Sequence, residues 1–563
     1  MSDSTGPDRD PLGEPASAHR SEPRLFSGLR IVATSTLASR VLGMFREMAS
    51  GWLFGAGPVW DAFSVAFMIP NLTRRLFGEG ALSATFLPVF ARQLESDREP
   101  GHPSAWQLAS AVLSLLAALL AAAVLAGEIV VLSLKWALAG HADMQLLLGL
   151  TAVMLPYALL ICLAAQVTAV LHALGHFTWP ALVPVILNLF WLATIWLVDP
   201  WFEPDQAAQA YALAVCIVIA GVMQLGLQLP TLRRLGFRFD RRWQAVRPAV
   251  GEIMRAMLPV TLGLSITQIN TVLDRLIALA FTRPADGSAG WLTAAGLSYP
   301  LLPGAVSTLT YGERIYQFPL GVFGVALGTV LFPLLSRHAA RGEIDRVRAD
   351  LSLGLRLVLA IGIPASAGLV ITAEPLTRLL FQHGRFTADD SARTAGILVA
   401  YGAGVWAYCG IPVLYRGFYA VGERNLPVRL GLGAVGLDLA LNLSLIWPLA
   451  ERGLALSTAI SATVQVALLA WLIQGRVGQL DWGRIGATAV RALVASAAMS
   501  AVCLAALRLI PAGGSTMGDA AALVIAILLA VATYFAVAQW LKLEEPAMLF
   551  QKGETNDSSA RVS

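Results

Sequence analysis

Charge is scarce in this chain of 563 residues. Asp, Glu, Lys and Arg make up 13% of it, against about 25% in soluble domains. So few ionic groups cannot cover a soluble surface. Hydrophobic residues reach 56% and mean hydropathy is +0.67, so much of the surface must face lipid. Lysine is nearly missing (Lys135, Lys542 and Lys552), which leaves the cations almost entirely to Arg. The formal net charge is only +4, and no basic stripe is interleaved with aromatics, so nucleic acid is not an expected partner. The four cysteines, Cys162, Cys216, Cys409 and Cys503, stand singly in apolar runs with no CxxC or Cys/His spacing. They read as small packing residues. The seven His show no ligand spacing, and His383 in FQHGRF reads as a loop residue. HExxH and GxxxxGK[ST] are missing too, so neither metalloprotease chemistry nor ATP is indicated and no enzyme activity is expected. The remaining energy sources are ion gradients and the membrane potential, the latter worth about 2.3 kcal/mol per charge per 100 mV.

Long apolar runs are what the chain has instead. A bilayer core takes about 20 predominantly apolar helical residues to cross. About fourteen such runs can be read here, centred near residues 38, 70, 120, 158, 188, 218, 268, 325, 361, 403, 437, 463, 495 and 532. The first two are the weakest by hydropathy. Residues 1–23 are rich in Ser, Pro, Gly and charge and are expected to form a disordered cytoplasmic tail. They lack the pattern of a cleaved signal peptide. Arg gathers in the segments after the sixth and eighth runs (TLRRLGFRFDRRWQAVRP and SRHAARGEIDRVRAD) and after the tenth and twelfth (Arg416, Arg424, Arg429, Arg476 and Arg484). The intervening segments, including the Gly/Pro/Ser-rich 283–304, are poorer in Arg. Positive-inside bias then places both termini in the cytoplasm.

The chain also repeats itself. LFGEGALSATFLPVFAR (76–92) aligns with VFGVALGTVLFPLLSR (322–337), pairing Phe77-Gly78 with Phe323-Gly324, Pro88 with Pro333 and Arg92 with Arg337. ALGHFTWP (173–180) aligns with AVGERNLP (420–427) at nearly the same offset. The expected fold is therefore all-α and integral to the membrane, with two six-helix lobes related by a parallel repeat around a central cavity. The reading places a first lobe at 24–240, a second at 241–478, two extra helices at 479–545 and a cytoplasmic tail at 546–563.

Charges inside the apolar runs carry the functional argument. The first two contain Arg40, Arg46, Glu47, Asp61, Arg74, Arg75 and Glu79. Each charge at a helix centre costs about 2.5–3.5 kcal/mol to insert, so they are expected to face a wet or protein-lined interior. Internal pairing is one explanation: Arg75 and Glu79 lie four apart on one face, as do Arg40 and Glu47 two turns apart. The preference for Arg favours another, because guanidinium grips phosphate at two points where ammonium cannot. With Arg314, in STLTYGERIYQFP, the set Arg40, Arg46, Arg74 and Arg314 would form a receptor for a diphosphate. A second polar group, Asp274, Asp438, Asn442 and Thr458, offers hard oxygens and two carboxylates. It suits a bound Na⁺, protonation, or structural pairing such as Asp274 with its neighbour Arg275.

At this point SRVLGMFRE (39–47), DAFSVAFMIPNLTRRLFGEGALSATFLPVF (61–90), the stretch from Glu313-Arg314 through FPLGVFGVALGTVLFPLLS, and LFQHGRFT (380–387) resemble the MurJ (MviN) lipid II flippases. These belong to the multidrug/oligosaccharidyl-lipid/polysaccharide exporter superfamily, and the likeness runs from about residue 26 to 545. The resemblance implies fourteen helices, a cationic cavity between two lobes, and two added helices forming a lipid-tail groove. It implies a bacterial inner-membrane protein that moves undecaprenyl-pyrophosphoryl-MurNAc-pentapeptide-GlcNAc from the cytoplasmic to the periplasmic leaflet by alternating access, for peptidoglycan synthesis. It gives Arg40, Arg46, Arg74 and Arg314 the substrate role, and makes Glu47, Asp61 and Glu79 gating or cavity acids. It also maps a sodium site onto Asp274, Asp438, Asn442, Thr458 and the carbonyl of Leu454. Membrane lipids and other cell-wall synthesis proteins are the further partners it implies. Two departures stand out: Gln317 where some members carry an acid, and a longer 283–304 stretch. A flippase for another polyprenyl-diphosphate glycan, a drug exporter, a membrane glycosyltransferase or polymerase, and a non-transporting scaffold are the rival readings.

Overall fold

A computed structural model describes residues 22–78, 81–96, 105–285, 287, 290–510 and 515–545. The tail expected at 546–563 lies outside the described residues, as do 1–21; Glu22 and Pro23, read as tail, already open the first helix. Among the described residues the chain is helical throughout, with one isolated β-bridge, Thr282 to Leu301. Two compact units emerge, and both draw on separated parts of the chain.

The first unit takes its described residues from Met1–Arg46, Ile69–Ala137 and Leu148–Thr261. Its helices are most of α1 (Glu22–Phe54), the end of α2 (Pro58–Thr73), α3 (Ala81–Ser96), α4 (Ala105–Ala137), most of α5 (Ala142–Ala173), α6 (Thr178–Ala193), α7 (Gln206–Gly226), the short α8 (Leu229–Arg234) and the start of α9 (Arg247–Phe281). The second unit takes Glu47–Met68, Leu138–Leu147 and Leu262–Ser563. It holds the short α10 (Trp291–Ala294), α11 (Ala305–Ala340), α12 (Ile344–Phe381), α13 (Ala388–Ala403), α14 (Val405–Ala420), α15 (Asn425–Leu449), α16 (Glu451–Val477), α17 (Trp482–Leu509) and α18 (Thr516–Trp540). These units differ in extent from lobes at 24–240 and 241–478. Residues 47–68 group with the second unit because Trp60 stacks on Tyr311 and Asp61 hydrogen-bonds to Gly304 and Ser307. The extra helices at 479–545 group with it as well.

Nine helices among the described residues are long and apolar enough to cross a membrane, or ten if the α13–α14 pair, bent by 40°, is one span. α4 shows why: its apolar window has a mean hydropathy of 2.6 and only 11% of it is buried within the protein, so lipid must cover the rest. Trp136, Trp201 and Trp540, each about four-fifths exposed, stand at helix ends, where tryptophan favours the membrane–water boundary. α1, α9 and α11 have membrane length as well (33, 35 and 36 residues), and the apolar stretch of α1 is interrupted by Arg40, Arg46 and Glu47.

The shorter sequence repeat is a repeated turn. After α5, Gly175 takes φ +73°, and His176 N–H donates to the Leu171 carbonyl at 2.8 Å. After α14, Gly422 takes φ +80°, and Glu423 N–H donates to Phe418 at 2.9 Å. Both are left-handed glycine caps closed by a six-residue bond, the arrangement that satisfies the last carbonyls of a helix. The matched prolines, Pro180 and Pro427, then lie in the first turns of α6 and α15, where a missing N–H costs nothing. In the second copy the Leu426 amide, with Arg476 beyond it, holds the Glu423 carboxyl below the usual carboxylate range. The longer echo places Pro88 and Pro333 inside α3 and α11.

α17 and α18 are fastened to α12. The Tyr534 hydroxyl donates to the Ala360 carbonyl, and Ala495, Met499, Ala526 and Ala530 pack around the same contact. Past α18 the chain returns to bury Glu545, which accepts from Arg356 and from the Thr488 hydroxyl at 2.9 Å. Glu545 is 1% exposed.

Candidate functional site

Among the described residues, the charged and polar side chains expected at the site fall into three groups. In the first unit, Arg46 is buried against α6: its Nη1 donates to Asn188 Oδ1 at 3.2 Å, and its guanidinium carbon lies 4.7 Å from the centre of the Trp191 ring. Asn188 passes the contact on by donating to the Ser39 carbonyl at 3.1 Å. Stacking and a fixed hydrogen bond hold this guanidinium flat, which suits a planar fork and not an ammonium. Arg40, six residues earlier on α1, is exposed. Arg74 opens a π-helical turn, Arg74–Gly78, and its Nη2 donates to Asn71 Oδ1 at 2.9 Å. Glu79 lies outside the described residues.

In the second unit, Glu47 and Arg314 form an ion pair of 3.1 Å. The glutamate side chain is 6% exposed and the arginine 31%, so the pair has one buried end and one open end. Asp61 sits on the N-terminus of α11: Oδ2 accepts from Gly304 N–H at 2.7 Å, and Oδ1 accepts from Ser307 N–H at 2.7 Å and its hydroxyl at 2.6 Å. A carboxylate there satisfies orphan amides and meets the positive end of the helix dipole. Gly304 takes φ +90°, and a Cβ on it would run into the Ala56 carbonyl oxygen, so glycine is required for this approach. Arg393 closes the same end, donating to Glu451 at 2.7 Å and to the Pro303 carbonyl at 3.0 Å. The 380–387 segment is tied down nearby by Arg385 N–H donating to the Trp52 carbonyl at 2.9 Å.

The third group, also in the second unit, is where α9, α15 and α16 meet. Asn442 Nδ2 donates to Asp274 Oδ1 at 2.6 Å and to Asp438 Oδ2 at 3.0 Å; the Thr458 hydroxyl lies 3.4 Å from Asp274 Oδ2 and 3.2 Å from the Leu454 carbonyl. Asp438 and Asn442 are essentially unexposed. Asp438 Oδ1 and Asn442 Oδ1 are buried with no hydrogen-bond partner. Two acceptor oxygens without donors, beside two carboxylates, are what a hard cation would satisfy. Among the described residues no group of three or more His, Cys, Asp or Glu that could hold a metal ion gathers.

Arg275 does not pair with Asp274; its Nη2 lies 2.9 Å from Glu313 Oε2 on α11, with both side chains about one-seventh exposed. Gln317 joins them, donating to Glu313 Oε1 at 2.6 Å. A cavity of about 30 Å³, room for about one water, lies between this pair and Asp274, walled by Tyr316, Tyr401 and Thr458. Asn188, Trp191, Arg275, Glu313, Arg393 and Glu451 were not singled out as site residues from the sequence. Their only signal was polarity or bulk within an apolar run. The 283–304 stretch is also more ordered than a plain loop: besides α10 and the Thr282–Leu301 bridge, Trp291 Nε1 donates to the Ala280 carbonyl at 2.8 Å.

Comparison with known proteins places this arrangement. The family described as "Lipid II flippase MurJ" matches residues 51–531. The chain belongs to that family. A probable lipid II flippase MurJ of Rhizobium tropici is 32% identical over 519 residues, covering 90% of this chain and 92% of the relative. The lipid II flippase MurJ of Burkholderia cenocepacia is 32% identical over 456 residues, covering 79% and 83%. Among solved structures, a lipid II flippase MurJ in an inward closed conformation superposes with a TM-score of 0.70 at 21% identity, covering 92% of this chain and 99% of that one. An inward-facing multidrug transporter of the MATE family in the MOP superfamily gives 0.61 at 14% identity, over 77% and 94%. The family is one of membrane transporters, and this member is a multi-pass membrane protein that flips lipid II.

Proposed function

We propose that the chain grips the diphosphate of lipid II with guanidinium groups, Arg46 and Arg314 foremost, and couples its cycle to a monovalent cation at Asp274, Asp438 and Asn442. The observation that carries the first part is the fixed posture of both arginines. Arg46 is held by Asn188 and Trp191, and Arg314 by Glu47 with its outer side open. Each keeps N–H groups oriented in a low-dielectric setting, where a charge-assisted bond to phosphate is strong. Arg40 and Arg74 are assigned the same task as accessory cations, and Glu47 holds Arg314 in place when no phosphate is bound. Asp61 serves as a gate by clasping the start of α11, the helix that bears Arg314.

Sodium is the proposed ion. Asp438 Oδ1 and Asn442 Oδ1 would turn to it, with Thr458 and the Leu454 carbonyl completing an oxygen set, and it would offset the charge of two neighbouring carboxylates. The substrate is taken up at the cytoplasmic leaflet of the bacterial inner membrane, both termini being cytoplasmic on the Arg distribution. Membrane lipids and other cell-wall synthesis proteins are its proposed partners, and no catalytic step is assigned to it.

The deciding experiment is acute depletion in cells with a leaflet-accessibility assay for lipid II. Lipid II should accumulate on the cytoplasmic side and the cells should lyse. Cells that survive lacking only a surface polysaccharide would point to another polyprenyl-diphosphate glycan as the cargo.

A further inference from the structure

Beside the appended helices, a cavity of about 590 Å³ opens between the C-terminal ends of α12 and α17 and the first turns of α18. None of its lining residues belongs to the Asp61, Arg314 or Asp274 groups. One side is apolar, formed by Ile371, Leu379, Leu504, Leu507 and Leu523. The other carries charges of both signs, Glu374, Arg378 and Asp519, with His383 beside them. Leu509 and Met517, at these same helix ends, are 80% and 81% exposed.

The polar side is incompletely satisfied. Asp519 Oδ1 is buried with no hydrogen-bond partner. Its Oδ2 lies 3.8 Å from Arg378 Nη2, beyond hydrogen-bond range, and the Arg378 side chain is 52% exposed. An internal pair alone would leave Oδ1 unserved and much of the guanidinium unused. A ligand carrying an anion for Arg378 and an N–H cation for Asp519 and Glu374 would serve both, while its apolar part lay along the leucine wall.

We propose that this cavity binds a phospholipid whose headgroup joins a phosphate to a primary ammonium, as in phosphatidylethanolamine. The phosphate sits on Arg378, the ammonium meets the Asp519 carboxylate, whose side chain is 35% exposed and turns to receive it, and faces Glu374, and one acyl chain follows Leu504 and Leu507 out to the bilayer. The chemistry discriminates. A choline headgroup has no N–H to give Asp519, and a glycerol headgroup has no positive charge to set against two carboxylates.

Native mass spectrometry of the full-length protein in detergent tests this, with phosphatidylethanolamine, phosphatidylcholine and phosphatidylglycerol of identical acyl chains added in turn. Wild type should retain the ethanolamine lipid about tenfold better than the other two, as expected for one charge-assisted hydrogen bond. Asp519→Asn should erase that preference, and Glu374→Gln, at the exposed rim, should weaken it without affecting folding. Arg378→Gln should lower retention of all three lipids. Equal retention by wild type, a preference for phosphatidylglycerol, or a preference that survives both carboxylate variants would each overturn the assignment.

Discussion

Asp61 places its carboxylate 2.7 Å from the Gly304 amide and 2.6 Å from the Ser307 hydroxyl, joining α2 to the first turn of α11 through three hydrogen bonds. Asp61→Asn presents an amide where only acceptors fit. It should cost about 1–3 kcal/mol and loosen the contact, read as lower thermal stability together with reduced complementation. Gly304→Ala should behave similarly, because the Ala56 carbonyl leaves no room for a Cβ. Unchanged flipping in both variants would remove Asp61 from the gate.

Arg46 is held as a plane and not only as a charge. Arg46→Lys should therefore insert normally yet fail to support growth in a depletion strain, since the stack on Trp191 and the fork are both lost. Asn188→Ala should weaken flipping without abolishing it. Full complementation by Arg46→Lys would show that a point charge suffices there.

The cation proposal predicts a selective thermal shift. Sodium should stabilise wild type relative to choline at equal ionic strength, by about 2.7 kcal/mol when sodium is a hundredfold above its dissociation constant, read as a higher unfolding temperature. Asp438→Asn and Asp274→Asn should lose that shift. A shift of equal size with choline would leave the buried oxygens without an ion.

The Arg275–Glu313 pair joins α9 to α11 next to the residues proposed for the ion and the phosphate. A thermal double-mutant cycle should give a coupling of about 0.5–3 kcal/mol. The charge-swapped double variant, Arg275→Glu with Glu313→Arg, should flip better than either single change.

At the far end of the chain, Arg356→Ala strands Glu545 beneath α12 and α17. Breaking a buried pair from one side costs about 3–5 kcal/mol. Limited proteolysis should then release α17 and α18 more readily, whereas removing both partners together should be milder.

Helix placement and the identity of the charged residues were legible because lipid demands long apolar runs and makes every intramembrane charge conspicuous. Their partners were not. Within the sequence, spacing offered Arg40 with Glu47 and adjacency offered Asp274 with Arg275 as alternatives, yet Glu47 meets Arg314 and Arg275 meets Glu313, both from α11. Consecutive residues on a helix point about 100° apart, so neighbours such as Asp274 and Arg275 must find partners on different helices. Only tertiary structure says which. The turn at 173–180 and 420–427 was found as a matched string, but its meaning, a glycine-capped helix end followed by a proline-started helix, needed the backbone angles.

Only 11% of the α4 apolar window is buried within the protein, so the seat of that helix is set more by hydrocarbon than by its neighbours. Its 33 residues reach about 50 Å, well beyond the roughly 30 Å of a bilayer core. Tilt and helix ends standing in the headgroup layers take up the surplus, so α4 is an element through which bilayer thickness acts on the molecule.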